Sequence, residues 1–285
     1  MEKLSSPKVL KKIIEKYGFR FNKKLGQNFL IDVNILDKMM EAAEIDEKTG
    51  VIEIGPGIGV LTQALAEKAA KVVAIELDAN LIPILDETVG GYPNVRVING
   101  NALKIDLKTI ITKEFENMDV KIAANLPYYI TTPIIMGILE KKLPVKSMIV
   151  MVQKEVAQRM IAKQGGKEYG ALSVAVQYYT KPRIILTVPP HCFMPQPKVE
   201  STVIKLDILE QPSVQVKDED RFFSVVKAAF GQRRKTLLNA LSNSGLFNMT
   251  KEEIRKTLLD IGIHEDQRGE TLSIMQFAQL SDAIY

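Results

Sequence analysis

From Gly50 onward, short apolar runs alternate with stretches whose apolar residues recur at helical spacing, the pattern of successive strand–helix–strand units and a mostly parallel sheet. Val51–Ile54, Lys71–Ile75, Asn94–Ile98, Val120–Ala124 and Ser147–Val152 read as five strands. Helices are predicted over about 60–68, 79–89 and 132–141. Two late strands, Arg183–Val188 and Ser201–Leu206, are joined by a Pro-rich connection and predict an antiparallel pair at the sheet edge. These elements predict an α/β fold, a Rossmann-like open sheet with helices on both faces. After Glu210-Gln211-Pro212 only helical periodicity remains, carried by Phe222, Val225, Val226, Ala229 and Phe230, then Leu237, Leu238 and Leu241, then Ile254, Leu258 and Leu259, then Ile274, Phe277 and Leu280. The chain therefore divides into an α/β domain over 1–209 and a small all-helical C-terminal domain over 210–285.

Charge changes this picture in one place. The net charge of +4 is uneven: residues 1–26 hold eight Lys/Arg against two Glu, and the rest of the chain is slightly acidic. Lys3, Lys8, Lys11, Lys12, Lys16, Arg20, Lys23 and Lys24 would favour a polyanion through counterion release. Leu4, Val9, Leu10, Ile13, Ile14 and Tyr17 equally fit an amphipathic helix with a solvated lysine face. No apolar stretch is long enough for a membrane span, and residues 1–20 lack the charged start and apolar block of a secretion signal. The single cysteine, Cys192, excludes an internal disulfide, and His191 and His264 have no metal-ligand spacing. A cytoplasmic chain with no metal and no membrane partner is expected.

The sharpest chemical signal is Glu53-Ile54-Gly55-Pro56-Gly57-Ile58-Gly59, a strand running into closely spaced glycines and a helix. Glycines there allow a tight turn and let a ligand approach the main chain. A dinucleotide fingerprint would place its third glycine at position 60, where this chain has Val60. Glu76, at the end of the second strand, stands where it can accept from both hydroxyls of a ribose. Together they point to an adenosine-containing ligand without a pyrophosphate. Asn125-Leu126-Pro127-Tyr128-Tyr129 follows the fourth strand and belongs to the rim of the same pocket. An Asn oxygen and a neighbouring main-chain carbonyl can accept from an exocyclic amine while Tyr128 stacks on the ring that carries it.

With these motifs, the chain resembles S-adenosylmethionine-dependent adenine-N6 methyltransferases, and further segments narrow the resemblance. Lys24–Leu30, Val152–Ala157, Tyr169–Ser173, Phe193–Ser201 and Phe230–Leu237 are similar to the KsgA family of small-subunit rRNA adenine dimethyltransferases. That resemblance, running from about Phe21 to about Leu280, implies a class I methyltransferase sheet and S-adenosyl-L-methionine as cofactor. It implies cofactor contacts at Asn28, Leu30, Gly55, Gly57, Glu76, Asn101, Ala102 and Asn125. One position departs from the family, which usually has Asp where this chain has Asn101; an Asn oxygen can accept the same hydrogen bond without the charge. Asn125, Leu126, Pro127, Tyr128 and Phe193 are the implied catalytic set, with Asn125 and the Leu126 or Pro127 carbonyl accepting the amino hydrogens. Tyr128 and Phe193 would clamp the base.

The resemblance also implies the substrate, two adjacent adenines in the 3′-terminal hairpin loop of 16S rRNA within the small ribosomal subunit; a monomer is expected. Arg233, Arg234 and Lys235, with Lys23 and Lys24 of the basic arm, are the expected grip on the RNA backbone. Two rival readings remain: an assembly factor that acts mainly by binding the immature subunit, and a 23S rRNA dimethyltransferase of the macrolide-resistance type. The intact Asn125–Tyr128 loop argues against the first, and the Phe193–Pro197 and Phe230–Lys235 segments against the second.

Overall fold

The computed structural model describes residues 2–22 and 25–284. Backbone contacts divide the chain into two compact units, one of residues 1–157 and 182–208, the other of residues 158–181 and 209–285.

The first unit is built on a seven-stranded sheet. In chain order its strands are β2 (Thr49–Ile54), β3 (Lys71–Glu76), β4 (Val95–Asn99), β5 (Asp119–Asn125), β6 (Ser147–Gln153), β7 (Thr180–Val188) and β9 (Ser201–Ile208). They lie in the order β4-β3-β2-β5-β6-β9-β7. The pairs β3–β4, β2–β3, β2–β5 and β5–β6 are parallel, and β9 runs antiparallel to β6. Every residue of β2 is buried, as a parallel strand covered on both faces requires. Its Val51 and the sheet residues Ala123, Ile149 and Val203 share a core with α2 (Val33–Ala43), α3 (Val60–Ala66) and α4 (Ile82–Thr88).

The basic arm is a docked helix. α1 (Pro7–Tyr17) starts on Pro7, whose missing N–H costs nothing at that position, and ends on Gly18 in the left-handed conformation. Leu10 and Ile13 are buried, whereas Lys8, Lys11 and Lys12 stay exposed. Lys16 pairs with Glu87 at 2.6 Å, and the Tyr17 hydroxyl donates to the same carboxylate. The arm is thus an amphipathic helix, with an apolar face on the core and a solvated lysine face. Lys23 and Lys24 lie outside the described residues.

A two-residue antiparallel pair was not foreseen: β1 (Phe29–Leu30) pairs with β8 (Phe193–Met194), Leu30 opposite Phe193. Strands so short leave no periodic signal.

The second unit is helical, with α9 (Glu219–Gly231), α10 (Leu237–Ser242), α11 (Lys251–Asp260) and α12 (Ile274–Ala283). Ser273 and Thr250 start the last two helices with reciprocal caps to Gln276 and Glu253. This unit also takes in residues 158–181, which lie upstream of the expected boundary at 209–210. The reason is aromatic packing. On α8 (Ala171–Tyr179), Tyr178 stacks on Phe222 at 4.8 Å and Tyr179 on Phe223 at 5.7 Å, and the Tyr179 hydroxyl donates to Glu219 at 2.7 Å.

Candidate active site

The carboxyl ends of β2, β3 and β5 open onto a cavity of about 1080 Å³, its mouth included. Gly55, Gly57 and Gly59 follow β2 with φ of +71°, +63° and +93°, a region that a Cβ makes costly. The Gly55 N–H donates to the Ile75 carbonyl at 3.0 Å, so the turn stays tied to β3. A Cβ on Gly57 would stand 2.7 Å from the Phe29 ring, so the close approach needs glycine.

Glu76, at the end of β3, is 6% exposed. Each of its oxygens accepts one main-chain N–H, from Gly57 at 3.1 Å and Asp78 at 2.8 Å. These bonds fix the carboxylate and leave lone pairs directed at the cavity. Burial raises its pKa from the usual carboxylate range, opposed by those two N–H groups. Two residues before the glycine turn, Glu53 also lines the cavity. It is 1% exposed, its Oε2 has no hydrogen-bond partner among the described residues, and burial pushes its pKa up to about 8, with the Glu76 charge adding to the effect. A charged residue inside the otherwise apolar run Val51-Ile52-Glu53-Ile54 was the available signal for it.

Residues 25–30 form a second wall. Phe29 anchors that wall against Phe19 and Phe21, with ring centroids at 6.0 and 5.5 Å. Gln27 joins it to the strand end: its Nε2 donates to Asp78 at 2.8 Å, and its Oε1 accepts from the Asn22 N–H at 2.7 Å. Neither Gln27 nor Phe29 was singled out from the sequence, although both fall within the Lys24–Leu30 segment. Asn28 and Leu30 line the cavity, as do Gly55, Gly57, Asn101 and Ala102. The Asn101 oxygen accepts from the Leu103 N–H at 2.9 Å, a local turn bond that occupies one of its two lone pairs.

The Asn125–Tyr129 loop closes the third side. Asn125 donates through Nδ2 to the Asn28 carbonyl at 2.8 Å, which turns its Oδ1 away from that bond. The Leu126 N–H donates to Met151 on β6 at 3.1 Å. The Pro127 carbonyl accepts from the Ile130 N–H at 3.2 Å and the Thr131 hydroxyl at 3.1 Å, so both its lone pairs are engaged. Tyr128 is partly buried, its hydroxyl 2.7 Å from Ser201 Oγ, and Tyr129 stands exposed at the rim.

Phe193 is placed differently from its expected role. It is 2% exposed, belongs to the core opposite Leu30 and does not line the cavity. Its neighbour Cys192 is buried 3.4 Å from Asp32, and burial pushes the thiol up to about 11, which keeps it protonated and inert. In the second unit Arg233, Arg234 and Lys235 are all exposed, but Arg233 is spoken for: it donates to the Lys167 and Tyr169 carbonyls at 2.8 and 3.2 Å and stands 3.5 Å from Glu270. Among the described residues there is no cluster of His, Cys, Asp and Glu able to hold a metal, and no helix long and apolar enough to cross a membrane.

Comparison with known proteins gives three kinds of match. The family described as ribosomal RNA adenine dimethylase matches residues 18–284. Proteins named ribosomal RNA small subunit methyltransferase A are similar over the whole chain. The one from Alkaliphilus oremlandii is 58% identical over 282 residues, 99% of this chain and 98% of its own. The one from Bacillus mycoides is 53% identical over 286 residues, 100% of this chain and 98% of its own. Among solved structures, a dimethyladenosine transferase from Plasmodium falciparum has a TM-score of 0.74 and 29% identity, covering 88% of this chain and 95% of that one. The 23S rRNA methyltransferase ErmE, at TM-score 0.67 and 24% identity over 90% of this chain and 99% of its own, shares the fold.

Proposed function

The chain belongs to the ribosomal RNA adenine dimethylase family, and from that premise we propose that it dimethylates N6 of two adjacent adenines in the 3′-terminal hairpin loop of 16S rRNA, using S-adenosyl-L-methionine, during maturation of the small subunit in the cytoplasm. The observation that carries the reading is the Asn125 amide held by the Asn28 carbonyl at 2.8 Å, which commits the nitrogen and frees the oxygen to accept.

The cavity fits the cofactor. Gly57 leaves the main chain bare where a Cβ would strike Phe29, and the buried Glu76 carboxylate keeps acceptor capacity for a pair of ribose hydroxyls. Asn28, Leu30, Gly55, Asn101 and Ala102 complete the pocket. When bound, the cofactor supplies a methyl group on a sulfonium, an electrophile that needs a nucleophilic nitrogen in line with it.

The adenine N6 lone pair is delocalised into the ring and is a poor nucleophile. Asn125 Oδ1 accepts one amino hydrogen and a main-chain carbonyl accepts the other, which localises the lone pair and aims it. The Pro127 carbonyl already accepts two hydrogen bonds, which favours the Leu126 carbonyl as the second acceptor. Tyr128 stacks on the splayed-out base, a contact worth roughly 1–3 kcal/mol. Phe193 would reach the opposite face only by leaving the core, so in this geometry Tyr128 does the stacking. Arg234 and Lys235, exposed after α9, grip the RNA backbone, with Arg233 holding their base through the Lys167 and Tyr169 carbonyls.

The test is transfer of labelled methyl to small subunits lacking the modification, with large subunits in parallel and nucleoside analysis of the product. Dimethyladenosine in the small-subunit rRNA alone supports the reading. Label in the large subunit, or binding to the small subunit without transfer, overturns it.

A further inference from the structure

Tyr128 needs only its ring to stack, yet it carries a hydroxyl, and that hydroxyl is bound. Its partner is Ser201 Oγ at 2.7 Å, seventy-three residues away in sequence. Ser201 is fully buried as the first residue of β9, opposite Gln153 of β6. Its position is clamped from the preceding residue: the Lys154 N–H donates to the Glu200 carbonyl at 3.0 Å, and the Lys154 ammonium pairs with the Glu200 carboxylate at 2.8 Å. β6 holds both parts of the site. Met151 is in register with Asn125 on one side, and Gln153, two residues on, is in register with Ser201 on the other.

We propose that Ser201 is a positioning residue for methyl transfer, fixing the Tyr128 ring through its hydroxyl so that the base stacks in register with the Asn125 acceptor. A hydrogen bond at the far end of a tyrosine ring restrains χ1, which swings the whole ring, while χ2 turns the ring about the axis on which the hydroxyl lies and is left to packing. Without it the ring librates across the cavity mouth, and the amine is presented to Asn125 over a range of angles. Misplacement of about an ångström costs catalysis heavily, because alignment is most of what this chemistry asks of the protein. The proposal accounts for the serine that closes the Phe193–Ser201 segment, a residue that neither lines the cavity nor meets the cofactor wall. It rests on the methyl-transfer reading above.

The experiment compares Ser201→Ala, Ser201→Thr, Tyr128→Phe and the Ser201→Ala/Tyr128→Phe double variant with the wild-type chain. Four readouts are taken: kcat and KM for transfer to unmethylated small subunits, the Kd of S-adenosylmethionine alone by calorimetry, thermal melting, and the ring resonances of ¹³C-labelled tyrosine, with Tyr128 assigned by its loss in Tyr128→Phe. We expect Ser201→Ala and Tyr128→Phe each to lower kcat about tenfold, and the double variant to fall no further, since both remove one bond. Ser201→Thr, which keeps a hydroxyl, restores most of kcat. Cofactor Kd stays within twofold throughout, and the Tyr128 ring signals shift and average in Ser201→Ala. Additive losses in the double variant, or an unmoved Tyr128 signal in Ser201→Ala, overturn the proposal. The ring signal needs no substrate, so it still decides about Ser201 if wild-type chain transfers nothing to small subunits, the outcome that would sink the methyl-transfer reading instead.

Discussion

Replacing Glu53 with Gln tests whether a neutral carboxyl really sits under the glycine turn. The group is 1% exposed and its pKa is pushed up from the ordinary 4.5 to about 8, chiefly by burial. Between those two values the unfolded chain has released the proton while the native chain still holds it. The unfolded state therefore binds fewer protons, and stability must fall as pH rises through this window, then level off above about pH 8. Each pH unit is worth about 1.4 kcal/mol, so the loss approaches about 5 kcal/mol across the window. That is a large share of the roughly 5–15 kcal/mol that holds a domain together. The carboxylates whose pKa is lowered by partners, such as Glu87 by Lys16 and Asp106 by Thr109, act in the opposite sense and below the window, where stability is lost as pH falls. Glutamine keeps the shape and cannot ionise. Any polar mismatch its amide leaves costs about 1–3 kcal/mol, the same at every pH. The comparison is of slopes, read from hydrogen exchange of the β2 amides between pH 5 and 8.5, which reports on the first unit alone. The variant should gain on wild type steadily with pH, by up to about 5 kcal/mol in total. Parallel curves for the two proteins would refute the assignment of a neutral Glu53.

Four further outcomes follow from the geometry. Gly57→Ala puts a Cβ 2.7 Å from the Phe29 ring at a φ of +63°, so calorimetry should show S-adenosylmethionine affinity down at least tenfold on the order expected for about 1–2 kcal/mol of backbone strain plus a displaced wall. Asn125→Ala should lower transfer by about a hundredfold or more while cofactor affinity stays within about tenfold, because its oxygen acts on the reacting amine; comparable turnover in labelled-methyl assays would remove it from catalysis. Phe193→Ala should cost about 3–5 kcal/mol in denaturant melts as a buried ring is lost, whereas Phe193→Leu should keep both the fold and transfer within about tenfold; a larger loss of transfer in the leucine variant, with stability intact, would return Phe193 to the base clamp. Reversing charge at Arg234 and Lys235 should reduce the slope of log binding constant against log salt by about two, and an unchanged slope would take them out of the RNA interface.

The strands were legible because β2 and most of β6 are buried on both faces and so are written as mostly apolar runs, broken in β2 only by Glu53. Glu76 and the glycines were legible because their constraints are local: a strand end, a tight turn, a positive φ. What the sequence hid was long-range. Residues 158–181 carry no composition shift, and it is tertiary contacts, such as the stacking of Tyr178 on Phe222 and the Arg233 bonds to the Lys167 and Tyr169 carbonyls, that assign them to the helical unit. Phe193 sits in a motif that suggests a base clamp, but its pairing opposite Leu30 turns it into the core, and nothing in its neighbours announces a two-residue strand. The two bonds that the Pro127 carbonyl accepts, from Ile130 and Thr131, were likewise beyond the reach of the local pattern.

The bond from Asn125 to the Asn28 carbonyl has a thermodynamic consequence. On the reading proposed above, one end belongs to the wall of the cofactor pocket and the other is the acceptor for the target amine, so ordering either end lowers the entropy that the other still has to lose. Occupancy of the pocket and capture of the adenine are therefore linked functions, and linkage is reciprocal: whatever factor the cofactor adds to RNA affinity, the RNA adds to cofactor affinity. On that reading, a donor pocket and an acceptor pocket that share a hydrogen bond favour the ternary complex over either binary one.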